Sequence, residues 1–240
     1  TGTFRCLALA DYVWNYWHFA SQHGGVYRIY SRKAGEGRPW LENWGLRIFV
    51  SYVALRLAGW TTGWAEGMES VARVVDGLDL VAMILPALLV GVELRHVSWR
   101  RRAKHLYLAS VLGLYVGLLW AVRSHALHAL AALTLAGALY HSTEYLAILT
   151  HYAWRRRTSG SPCLFQRLAY AWTPTLGGFL VLLGTLAYWA VRIDPRWTEL
   201  WFGANLWASA VHYCYDGMIW KLRRPQTAQI LGASRAAASG

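Results

Sequence analysis

Charge is what this sequence has least of. Asp, Glu, Lys and Arg make up 15% of its 240 residues, where a soluble domain carries about 25%. Cysteine occurs three times, as Cys6, Cys163 and Cys214. An odd number without C-x-x-C spacing argues against a disulfide framework or a thiolate zinc site. No flavin or nicotinamide fingerprint is present, so a redox role would draw its electrons from a separate donor protein. No internal repeat and no second domain are visible. One transmembrane helical domain is expected over residues 1–224, followed by an Ala/Ser/Gly-rich tail at 225–240 expected to be disordered. No cleavable signal peptide is recognisable.

What fills the space left by charge is apolar and aromatic: 56% hydrophobic residues and 15 Trp, gathered into long runs. A bilayer-spanning helix needs roughly 20 mostly apolar residues. Seven stretches approach this, at about 4–24, 43–60, 77–95 (with a kink expected at Pro86), 105–122, 125–153, 172–192 and 199–221. The expected fold is therefore all-α, a polytopic bundle of about seven spans.

The formal net charge of +12 is not spread as a nucleic-acid footprint would be. It sits in loops. Arg28, Arg32, Lys33 and Arg38 follow the first stretch. Arg95, Arg100, Arg101, Arg102 and Lys104 join the third and fourth. Arg155, Arg156, Arg157 and Arg167 join the fifth and sixth, and Lys221, Arg223 and Arg224 follow the last. The alternate connections are poorer in Lys and Arg. Seven spans with the N-terminus outside put every basic cluster on one side, and the positive-inside rule makes that side, and the C-terminus, cytoplasmic.

Ionisable groups inside such helices cost about 2.5–3.5 kcal/mol on insertion scales and mark function by default. The first stretch carries Asp11, His18 and Gln22 on one face, with His23 turned about 100° from Gln22. The fifth carries His141 and Glu144 as an i,i+3 pair, with His151 seven residues further on. The seventh carries Asn205, Ser209, His212 and Asp216 in one polar stripe. Counted from the basic border at 1.5 Å per residue, His18, Glu144 and His212 lie at roughly 15, 16 and 13 Å. Asp216 is about a turn shallower and His141 about a turn deeper. Imidazole plus carboxylate on several helices is a donor set for iron, manganese or zinc, and suits non-haem iron best. The expected metal ligands are His18, His141, Glu144, His212 and Asp216, with His23 and His151 as supporting or additional ligands.

The plainer reading is that such groups only hydrogen-bond across helices, and for a single helix it is the stronger one. His96 and His105 form part of a shallower layer with His23 and His151. His125 and His128 are expected at the surface. Arg47 and Arg56 are expected to snorkel or to pair with Glu42 or Asp79. Trp40, Trp60, Trp99, Trp154 and Trp197 read as an interfacial belt.

The segments W-H-F-A-S-Q-H-G-G (17–25), Y-H-S-T-E-Y (140–145) and H-Y-C-Y-D-G-M-I-W-K-L-R (212–223) resemble motifs in a group of polytopic, His-containing bacterial membrane proteins of unestablished function. This resemblance implies a bacterial inner-membrane location. In plan the chain is also similar to integral-membrane di-iron hydroxylases and desaturases. It departs from them in having no H-x-x-H-H, no H-x-x-x-H-H and no adjacent histidines, so their ligand assignments do not carry over.

Together these features favour a metal-dependent, di-iron membrane oxidoreductase acting on a lipid-soluble substrate. Its partners would be membrane lipids, the hydrophobic substrate and the electron donor. Three alternatives stand beside it. One is a proton- or ion-conducting protein using the polar stripes as a relay. Another is a b-type haem protein with His141 and His212 as axial ligands. The third is a structural subunit of a larger membrane complex.

Overall fold

A computed structural model describes residues 2–35, 39–62, 69–95, 98–155, 167, 171–190, 192 and 198–219. The tail at 225–240 and His96 lie outside the described residues. Among the described residues every regular element is helical: α1 Gly2–Lys33, α2 Pro39–Thr62, α3 Glu69–Ala82, α4 Ile84–Leu94, a 3-10 turn Trp99–Arg101, α5 Arg102–Arg123, α6 Leu127–Arg155, α7 Trp172–Ala190 and α8 Thr198–Ile219. Two compact units divide the chain, Thr1–Leu139 and Tyr140–Gly240, and the boundary falls within α6.

Local chemistry explains where the helices stop. α1 runs about nine residues past its apolar stretch. Arg32 and Lys33 in its last turn suit the negative end of the helix dipole. It ends where Gly35 adopts φ +73, with the Gly35 N–H donating to the Arg32 carbonyl and that of Ala34 to Tyr30. Pro39 opens α2, where its missing N–H costs nothing. Ser124 closes α5 by donating both its N–H and its Oγ to the Trp120 carbonyl. His125 then takes a left-handed φ of 53 and turns the chain into α6, so this exposed histidine serves a turn.

The expected kink is present. Pro86 withholds the N–H that Ala82 would accept, and the helix breaks at Met83 into α3 and α4. Across this break, Arg73–Leu94 is, among the described residues, one of two stretches long and apolar enough to cross a membrane; the other is Arg102–Arg123.

In the first stretch Asp79 and Glu93 are buried together with Val75, Pro86 and Leu89, while Asp76, Leu78, Leu80, Val81, Ile84, Leu88 and Leu94 are exposed. Two buried acids beside a row of exposed apolar side chains suit an apolar surrounding.

In the first unit α1 and α2 pack antiparallel, and α2 also packs on α4 and α5. Ala20, Leu46, Phe49, Val50, Val53, Val111 and Tyr115 form its core. Gly45 sits where α2 meets α4, and a Cβ there would stand 3.4 Å from Leu89. Among the described residues the second unit contains α6 from Tyr140 onward, α7 and α8.

Candidate functional site

The first unit contains a buried charge network at the end of its helices. Lys104, at the start of α5, places its Nζ 2.6 Å from Glu93 Oε1 of α4 and 3.2 Å from Glu42 Oε1 of α2. Glu42 also accepts from Ser31 Oγ at 2.9 Å and pairs with Arg28 at 3.3 Å, both on α1. Glu93 accepts from the Tyr27 hydroxyl at 2.7 Å and pairs with His105 Nε2 at 3.2 Å. The ammonium lies 5.0 Å from the centre of the Tyr27 ring. Burial first, then the adjacent Glu93 and Glu42 carboxylates, push ionisation of the Tyr27 hydroxyl far above its usual range, so it acts as a donor. Two carboxylates face two permanent cations, so the network balances its own charge. Lys104 occupies the position a metal would take between Glu42 and Glu93.

A second lock lies fourteen residues away along α2. Arg56 Nε approaches Asp79 Oδ1 at 3.3 Å, and the Tyr52 hydroxyl donates to the same oxygen at 2.6 Å. Arg56 Nη2 reaches Asp76 at 3.9 Å. The expected pairing of Arg56 with Asp79 is therefore found. Arg47 pairs with neither Glu42 nor Asp79. Its guanidinium lies 5.8 Å from the Trp17 ring and 5.7 Å from that of Trp44.

The histidines expected as ligands divide between the units. In the first, His18 is half-buried on α1, while His23 is fully buried. The His23 ring meets the Tyr115 hydroxyl at 3.2 Å through Nε2 and the Tyr107 hydroxyl at 3.4 Å through Nδ1. Tyr107 also donates to the His23 carbonyl at 3.3 Å. His23 thus joins α1 to α5. Asp11, on the same α1 face as His18, accepts from Asn15 Nδ2 at 3.0 Å.

In the second unit His141 of α6 and His212 of α8 come together. Their ring centroids are 6.0 Å apart, edge to face, and their ligand nitrogens lie within 4.8 Å. Tyr145 packs its ring 4.8 Å from that of His212. His141 is buried and His212 half-buried. Glu144 is half-buried one turn after His141, and His151 is half-buried further along α6. Asp216 lies within α8, but its side chain is outside the described residues. An ion bound at about 2.0–2.1 Å to both imidazoles sets their nitrogens about 3.0–3.4 Å apart in tetrahedral or cis-octahedral geometry, so from a separation of up to 4.8 Å the two rings would have to close by as much as about 1.4–1.8 Å to hold one.

Glu93 falls outside the three polar stripes, although an acid near the end of an apolar run, fourteen residues after Asp79, is itself a signal. In sequence Lys104 belongs to a basic loop.

Compared with protein-family models, curated proteins and solved structures, the chain matches none.

Proposed function

We propose that this chain is an integral-membrane, metal-dependent oxidoreductase of about seven spans, with a non-haem iron centre in its second unit that acts on a lipid-soluble substrate. The observation that carries this reading is the approach of His141 to His212 from two different helices, within 4.8 Å between ligand nitrogens. Each of these histidines is followed within about a turn by a carboxylate, Glu144 on α6 and Asp216 on α8. Two imidazoles with one or two carboxylates leave positions open on iron, the arrangement suited to O₂ chemistry. Iron there would supply O₂ activation: one oxygen atom enters a C–H bond of the substrate and the other leaves as water, with two electrons and two protons provided from outside. The electrons come from a separate donor protein, because the chain has no flavin or nicotinamide fingerprint. Tyr145, edge to face against His212, orients that ring. The basic loops support a cytoplasmic side for the centre, and the resemblance to bacterial membrane proteins favours an inner membrane.

Elemental analysis of protein purified from membranes is the test. The expected result is about one to two irons per chain, lost in His141→Ala and in His212→Ala while each variant keeps its unfolding midpoint. Metal-free protein after anaerobic iron loading overturns the reading, and a Soret band replaces it with a haem centre.

A further inference from the structure

We infer that Arg47, beside Trp17 and Trp44, binds the phosphate of an anionic membrane phospholipid. Glu42 and Glu93 pair with Arg28 and Lys104, and Asp79 pairs with Arg56. Half-buried Arg47 pairs with none of these carboxylates. Its Nε is shielded from solvent and makes no hydrogen bond, and its guanidinium carbon lies 5.8 and 5.7 Å from the ring centres of Trp17 and Trp44.

An uncompensated guanidinium in an apolar helix is costly and draws an anion to itself. Its surroundings say which kind. Trp17 and Trp44 are each 41% exposed, their rings 6.4 Å apart, and Ile48 beside them is 49% exposed. The site therefore opens sideways onto the apolar surface, where the available anions are lipid headgroups. Arg47 lies five residues inside Glu42 on α2, roughly 7–8 Å along the axis, which a lipid phosphate can meet by slight local thinning of the bilayer. On the inner side, Gly24 has no side chain. A Cβ there would stand 3.8 Å from Arg47 Nε and 3.6 Å from the Asn43 carbonyl, so the arginine stem lies flat on α1. The planar fork then presents its N–H groups to a phosphate while the two indoles flank it on one side. This site is independent of any metal.

Protein in neutral mixed micelles, titrated with phosphatidylglycerol and followed by native mass spectrometry and by its unfolding midpoint, tests the inference. Phosphatidylglycerol is expected to bind roughly tenfold or more tightly than phosphatidylcholine and to raise the midpoint. Arg47→Gln should abolish that preference while leaving the midpoint in phosphatidylcholine unchanged. Arg47→Lys keeps the charge without the fork and should retain only part of the preference, so it serves if the glutamine variant does not fold. Equal binding of the two lipids by the unaltered protein overturns the inference, as does a preference that survives Arg47→Gln. Equal stabilisation by inorganic phosphate alone also overturns it, because the ligand would then be a free ion and not a lipid.

Discussion

Replacing Lys104 with Met removes the cation from between Glu93 and Glu42 while keeping most of the buried volume. Breaking a buried ion pair by deleting one partner costs about 3–5 kcal/mol, because a charge is left behind without its partner. The geometry places this case at the lower end. Glu93 retains the Tyr27 hydroxyl at 2.7 Å, and Glu42 retains Ser31 at 2.9 Å and Arg28 at 3.3 Å. Neither carboxylate is wholly orphaned, so about 3 kcal/mol is expected, or roughly a 150-fold shift in the folding equilibrium. Equilibrium unfolding in mixed detergent micelles, read by tryptophan fluorescence, measures it. The decisive arm is the double variant Lys104→Met with Glu93→Gln. It removes one charge of each sign and leaves Glu42 with Arg28, so it should be more stable than Lys104→Met alone. Loss of both partners would then cost less than loss of one, the signature of a desolvated pair. A single-variant cost below about 1 kcal/mol, the range of solvated pairs, would refute the reasoning. So would a double variant less stable than Lys104→Met alone.

In the same assay Asp79→Leu should destabilise by about 3 kcal/mol, since Arg56 would keep only Asp76 at 3.9 Å; Tyr52→Phe should cost only about 1 kcal/mol, because Asp79 retains Arg56. At the crossing of α2 and α4, Gly45→Ala should be tolerated, its Cβ meeting Leu89 at 3.4 Å. Gly45→Leu should lose about 1–3 kcal/mol by overpacking.

Helix positions were legible because apolar runs and breakers are local signals. The stretch at 77–95 and the kink at Pro86 follow from composition and from the missing proline N–H, and the structure places the break at Met83. Helix ends were less legible. α1 outruns its apolar stretch because a polar extension survives when Ser31 and Arg28 find Glu42. Arg56 with Asp79 was within reach of the sequence, since both are ionisable groups in apolar runs. Lys104 with Glu93 was not, because a lysine beside four arginines looks like loop charge until α4 and α5 are packed. For the histidines, counting along helices gives depth but not rotation about the helix axis. It grouped His23 with prospective ligands, while the fold turns its ring between two tyrosines.

The two ion locks have a spacing in common. Glu42 and Arg56 are fourteen residues apart on α2, and Asp79 and Glu93 are fourteen apart across the broken helix beside it. At roughly 21 Å each, the two intervals act as a matched gauge. A slip of one turn, about 5.4 Å, would break both locks at once, and a single inserted residue would rotate one lock by about 100° relative to the other. The proline break lies between the two fixed points, so α3 and α4 can bend there without losing register against α2. A helix that would otherwise be free to slide along its neighbour is thus indexed at both ends.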